Sequence, residues 1–203
     1  MKNCEVISAD FFNVSPLTVA RQLLGCLLVR VLEGERLVGR IVETEAYGDL
    51  GDPACHVIAR DRRIWGLLSG PPGRLYLHRS YRFALLNIVC EPPGVPGCVL
   101  VRAVEPISGL ATMARLRRGA KALTNGPARL VEAFAIAEDW DSSPLPRPEF
   151  WLEADEPPSA DRILNTVRIG LKRGRELPWR FAVRDNPWVS KRIRENALVE
   201  VEL

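Results

Sequence analysis

The chain is poor in lysine and histidine, has no paired cysteine motif, and carries no long apolar run. Four of its 28 basic residues are lysine (Lys2, Lys121, Lys172 and Lys191), and histidine occurs twice, at His56 and His78. The two histidines show no ligand spacing with cysteine or carboxylate, so no metal is expected. Cys4, Cys26, Cys55, Cys90 and Cys98 are odd in number and form no CxxC pair. That argues against a disulfide framework or a zinc site and leaves the thiols as small buried apolar groups. No apolar stretch approaches the ~20 residues that cross a bilayer, so no membrane association is expected. Met1 to Asp10 carry Glu5 and Asp10 and no apolar h-region, which reads as no secretory signal and a cytoplasmic location. Neither an internal repeat nor a low-complexity tract occurs, and no motif asks for a cofactor.

What is present suits a globular protein. The length of 203 residues, 47% hydrophobic and 26% charged, fits one domain spanning 1–203. The net charge of +3 is modest, but arginine supplies nearly all of the positive charge. Arginine grips phosphate bidentately and stays ionised. A GC-rich genome would produce the same bias.

The densest chemistry lies at Arg40 to Tyr47. In an unbroken strand, Arg40, Val42 and Thr44 share one face, and Ile41, Glu43 and Glu45 the other. A carboxylate ending an apolar β run, with Tyr47, Asp49, Asp52 and His56 close behind, is costly near a core unless it has a purpose. Solvated residues at a fraying strand end are the alternative.

Around this stretch the pattern predicts mixed elements. Ser15-Pro16 caps a short helix over Leu17 to Leu24, closed by Gly25. Cys26 to Leu32, the turn Glu33-Gly34-Glu35 and Arg36 to Thr44 form a hairpin. Residues 48–73 are rich in Gly and Pro and read as a long ordered loop or a set of short turns; a loop that long is usually a functional feature. Arg74 to His78, Phe83 to Cys90 and Cys98 to Val104 are β-like. Pro106 to Arg118 is a helix candidate, and Asn125-Gly126-Pro127 opens another, to about Ala137. The acidic, Pro-rich 138–162 reads as a surface excursion. Val167 to Leu171, Trp179 to Val183 and Ala197 to Val201 read as short strands. The class is α+β, with a mostly antiparallel central sheet and peripheral helices.

In this order the segments resemble the 3-methyladenine DNA glycosylases of the alkyladenine type, the mammalian enzyme and its bacterial relatives. The matching pieces cover nearly the whole chain. They begin with Phe11-Phe12 and Ala20 to Gly25, then Arg40 to Tyr47, Pro72 to Tyr76 and Val99 to Pro106. They continue with Asn125 to Leu130, Arg168-Ile169-Gly170, Pro178 to Phe181 and Pro187 to Ser190. The resemblance implies an enzyme that flips a damaged purine from double-stranded DNA and hydrolyses its N-glycosidic bond. It would act as a monomer associated with the nucleoid.

The same resemblance implies residue roles. Glu45 would hold and deprotonate a water aimed at C1′ and stabilise an oxocarbenium-like sugar. Spacing alone does not separate it from Glu43. Arg102 would help hold that water and needs a buried carboxylate partner, for which Glu45 or Glu105 could serve. The carbonyl of Ile169 would add a further water contact. Tyr47 would stack on the flipped base. His56 would touch the base through its backbone and a phosphate through its side chain. Asn87 would screen the exocyclic amino group of normal guanine. Tyr81 would fill the vacated stack, flanked by Arg79 and Arg82 on phosphates.

The sequence departs from the family in three places. His78 stands where relatives carry a second cage aromatic. Arg82 replaces a glycine, and the interval from Tyr81 to Asn87 is one residue short, which threatens strand facing. The segment Ala59 to Ser69 lacks the Arg-Asn pairing of relatives and contains Trp65. Two other functions compete: a damaged-DNA binder with weak or lost glycosylase activity, and a small-molecule hydrolase using Glu45 and His56. None of the four lysines falls within the matching segments, so the Schiff-base chemistry of a bifunctional glycosylase has no candidate.

Overall fold

Local chemistry sets the first elements. Ser15 caps helix α1 (Pro16–Gln22): its Oγ accepts from the Thr18 amide at 3.3 Å, and Pro16 takes the first turn. Strand β1 (Leu27–Leu32) returns as β2 (Glu35–Gly48) through Glu33-Gly34. Both turn residues have positive φ, 52° and 82°, as a two-residue type I′ turn requires. The computed structural model describes residues 5–48, 51–58, 61–191 and 193, without the side chains of 56–58. Cys4 and the expected strand Ala197 to Val201 lie outside the described residues.

Six further strands follow: β3 (Leu75–Ser80), β4 (Phe83–Val89), β5 (Gly97–Ser108), β6 (Phe150–Glu153), β7 (Ile163–Thr166) and β8 (Arg180–Val183). They form one sheet in the order β3-β4-β5-β2-β1-β6, with β8 pairing both β2 and β7. All the named pairs are antiparallel. Helices α2 (Pro53–Ile58), α3 (Arg62–Leu68), α4 (Leu110–Leu116) and α5 (Pro127–Ala133) lie around it. This is the α+β architecture expected.

Two apolar clusters pack on the sheet. The larger joins Val19 of α1, Leu23 just after it, Met113 of α4, and Leu130 and Phe134 at α5 to Ile41, Val99 and Val101. The smaller gathers Tyr47, Tyr76, Val89, Cys98 and Leu100 under Ala54 of α2 and Leu67 and Leu68 of α3. No helix among the described residues is long and apolar enough to cross a membrane.

The strand at the centre is not a regular one. Along the β2–β5 ladder, Ile41 pairs Val104, Glu43 pairs Ala103 and Thr44 pairs Val101. Val42 is therefore an extra residue on β2, and Arg102 an extra residue on β5. The bulge at Val42 shifts the alternation. Ile41 and Ala46 join the larger core, and Thr44 donates to the Ala20 carbonyl of α1 at 2.7 Å. Glu43, Glu45 and Tyr47 then face the other side. The simple alternation that placed Ile41 with the two glutamates is corrected by this bulge.

Other expectations also change. The 48–73 segment is not one loop but holds α2 and α3, the latter capped by Asp61, whose Oδ1 accepts from the amides of Arg63 and Ile64. The helix expected from Pro106 starts only at Leu110, because β5 runs on to Ser108. Pro106 sits opposite Gly39 beside a register shift, where a missing N–H is tolerated. The turn into α4 uses Gly109 at φ +78°, where an added Cβ would lie 2.3 Å from a Leu37 methyl. Helix α5 stops at Ala133, since Ala135 adopts φ +47°. The 138–162 excursion is partly core: β6 pairs with β1, and Trp140 packs on Phe150 with ring centroids 5.4 Å apart. Val167 to Leu171 is not a strand. The strand is β7, just before it.

Candidate active site

Register builds the site. Tyr76 of β3 pairs Asn87 of β4, Asn87 pairs Leu100 of β5, and Leu100 pairs Glu45 of β2. Directly paired residues share a face, so this row crosses four strands on the side opposite the main core. The shortened interval after Tyr81 is absorbed by a two-residue turn in which Ser80 pairs Phe83. Asn87 thereby keeps the facing of Glu45. Its Nδ2 donates to the carbonyls of Tyr76 (3.1 Å) and Leu85 (3.0 Å). This is the backbone-bonding role open to an asparagine, but on an interior strand.

Glu45 is fully buried and held by three donors. The Tyr47 hydroxyl donates to Oε2 at 2.7 Å, and the Ile169 amide donates to Oε1 at 2.7 Å. Arg102 Nη1 stands 3.2 Å from Oε2. Burial, then the neighbouring carboxylate, pushes the Tyr47 phenol well above its usual range, so its hydroxyl remains a proton donor. The Ile169 amide thus reaches the Glu45 carboxylate itself.

Glu43 is equally buried but saturated by structural partners. It accepts from Arg102 Nε (3.1 Å), Arg180 Nε (2.7 Å), the Ser190 amide (2.6 Å) and the Ser190 hydroxyl (2.9 Å). Arg102 thus bridges both glutamates. Burial alone would weaken its charge, but Glu45 and Glu43 together hold it protonated more firmly than usual. Glu105 is not its partner; that carboxylate accepts from Asn186 at 3.0 Å.

Further out, His78 is half-buried on the same face as Tyr76. Its Nδ1 lies 2.8 Å from the Tyr76 hydroxyl, and the two rings sit 5.8 Å apart at 58°. Burial pushes the His78 imidazole below its ordinary value. Tyr81 is 98% exposed at the β3–β4 tip, with φ +54°. Arg82 stacks on Phe83, 5.0 Å from the ring centroid. Arg79 is ion-paired to Glu138 on the surface. His56 belongs to α2, and its side chain lies outside the described residues.

Sequence reasoning missed two buried ion pairs here. Asp52 and Arg168 form an ion pair at 2.6 Å, both 0% exposed, while Arg180 clamps Glu43. Asp52 was noted among the polar residues that follow Tyr47, but with no partner assigned. Arg168 stands 116 positions away, and no local signal joins them. The described cysteines Cys26, Cys55, Cys90 and Cys98 are buried. Burial pushes the Cys26 thiol up to about 11, far from thiolate reactivity at neutral pH.

The bulged β2–β5 ladder thus buries a carboxylate, held by a tyrosine, an arginine and a backbone amide, beside aromatic side chains. The family model for methylpurine-DNA glycosylase (MPG) matches residues 10–187, and the chain belongs to that family. A relative from Gloeobacter violaceus, provisionally named a 3-methyladenine DNA glycosylase, is 65% identical over 199 residues, 98% of this chain and 92% of its own. Relatives with the same name from Salinibacter ruber and Chlorobium luteolum are 43% and 39% identical, over 92% and 91% of this chain and 97% and 96% of theirs.

Proposed function

We propose that this chain is a monofunctional DNA glycosylase of base excision repair. It extrudes alkylated or deaminated purines from double-stranded DNA and hydrolyses the N-glycosidic bond with a water activated by Glu45. The observation that carries this reading is the Glu45 carboxylate itself: wholly buried, yet oriented by Tyr47, Arg102 and Ile169 beside an aromatic cluster. A buried carboxylate is expensive unless paired and used.

In this reading Glu45 takes the proton of the attacking water and balances positive charge on the sugar. Arg102 fixes the carboxylate against Glu43. Tyr47 stacks on the extruded base, with His78 as the second ring and Asn87 at the pocket floor. His56 contacts base and phosphate. Tyr81 enters the vacated stack, and Arg79 and Arg82 hold phosphates. The protein works as a monomer in the cytoplasm, on the nucleoid, without metal or cofactor.

The test is single-turnover base release from duplexes carrying 3-methyladenine, 7-methylguanine, hypoxanthine or ethenoadenine. Glu45→Gln is expected to keep affinity for lesion DNA while base release falls at least ~100-fold. Equal release by both proteins removes Glu45 from the mechanism. Lesion binding without release by the wild type makes the chain a damaged-DNA binder, and strand nicking contradicts the monofunctional assignment.

A further inference from the structure

The Asp52–Arg168 pair brackets Tyr47. Arg168 Nη1 donates to the Ala46 carbonyl at 2.8 Å, and Asp52 Oδ2 accepts from the Gly48 amide at 3.3 Å. The pair thereby grips the backbone on both sides of the aromatic residue. The two side chains join by two bonds, Nη1 to Oδ2 at 2.7 Å and Nη2 to Oδ1 at 2.6 Å. The guanidinium carbon of Arg168 lies 4.6 Å from the centroid of the Tyr47 ring and 5.2 Å from that of Trp179. A base stacking on Tyr47 must therefore use the ring face that Arg168 leaves open. The residue after Arg168 supplies the amide that holds Glu45.

A cation behind a ring opposes a cation in front of it. Alkylation of a purine ring nitrogen in a nucleoside makes a cation, whereas deamination gives a neutral base. Asp52 cancels the charge of Arg168 at its source and spares the ring's attraction for cations. Building on the glycosylase reading, we infer that Asp52 is a specificity-determining positioning residue: it fixes and neutralises the guanidinium behind Tyr47, so that the open face accepts charged and neutral purines alike. The scale is large enough to measure. Two unit charges about 9 Å apart at an effective dielectric of about 20 shift an equilibrium by roughly 20-fold.

The experiment compares single-turnover release of 7-methylguanine, a cation in DNA, with release of hypoxanthine, which is neutral. Asp52→Asn leaves Arg168 charged and unbalanced. Release of 7-methylguanine is expected to fall roughly 20-fold further than release of hypoxanthine. A pair that only stabilises the fold lowers both alike, and an unchanged ratio overturns the inference. Arg168→Gln tests the same point in the opposite sense: the anion left behind the ring shifts the ratio toward 7-methylguanine. Each variant is first checked by circular dichroism, and if one does not fold the other decides, again with an unchanged ratio as the failing result. Arg168→Lys retains the charge but not the planar stack. It is expected to lower release of both bases by roughly 10- to 100-fold, through misplacement of Tyr47 and Glu45, with their ratio kept; wild-type rates in this variant also overturn the inference. Absence of release by the wild type defeats the glycosylase reading itself, whereas wild-type release with an unchanged ratio in the variants defeats only the inference.

Discussion

Two carboxylates of the same type, two positions apart, are divided by what touches them. Glu43 spends its lone pairs on Arg102, Arg180 and Ser190, all parts of the scaffold. Removing its charge leaves the buried Arg180 guanidinium without its carboxylate and Arg102 with Glu45 alone, so Glu43→Gln is expected to cost about 3–5 kcal/mol of stability. Chemical denaturation reads this directly, and a loss under ~1 kcal/mol contradicts the clamp. Glu45, oriented by fewer donors, is the one expected to answer in base release. The separation was not legible in the sequence, because spacing treats both glutamates identically and their partners come from distant strands. His78 carries a second prediction at this scale. The unfolded chain takes up its proton near 6.5, and the folded chain only at lower pH. Stability is therefore expected to fall as pH drops below about 6.5 and to level off once the native imidazole also protonates. Melting temperatures across pH 7 to 5 should show a shallower dependence in His78→Phe. An equal slope in both proteins removes His78 as the cause.

At the scale of elements, the β3–β4 turn presents Tyr81 and Arg82, two residues proposed above to meet the DNA. Tyr81 is a bulky residue at φ +54°, a region that costs an L-residue about 1–2 kcal/mol. Glycine adopts it freely, so Tyr81→Gly is expected to leave the melting temperature unchanged or raised while weakening lesion-DNA binding. A drop in both would make the side chain structural. The first hairpin was readable because its turn chemistry and apolar runs are local. The bulge at Val42, the helices within 48–73 and strand β6 were not. A bulge is set by the partner strand, α2 and α3 hide in Gly- and Pro-rich sequence, and β6 is a four-residue strand in acidic surroundings. The sequence placed Tyr81 at a break between β segments, and the structure shows it at the tip.

For the whole molecule, a net charge of +3 spread over many arginines makes DNA affinity an ionic-strength property. The logarithm of affinity should fall linearly with the logarithm of salt concentration. Arg82, which has no ion pair among the described residues, should lower the slope by about 1 when replaced by Ala. Arg79 already faces Glu138, so Arg79→Ala should change the slope less. Equal effects at both positions contradict this ranking of the two contacts. The overall class and the chain-wide family resemblance were legible because they rest on the order of many short segments. The buried Asp52–Arg168 pair was not, since only folding brings its members together.

Val42 acts as a phase shifter in the central strand. With it, aliphatic side chains point one way before and after the irregularity while both acids point the other. Were Val42 drawn into regular pairing, with every letter of the sequence intact, the strand would fall out of step. Ile41 and the two acids would return to a common side, so that either a greasy group is stranded in the polar site or two charges are driven into oil. Removing Val42 altogether would do the opposite: Ile41 and Glu43 would become neighbours and still point apart.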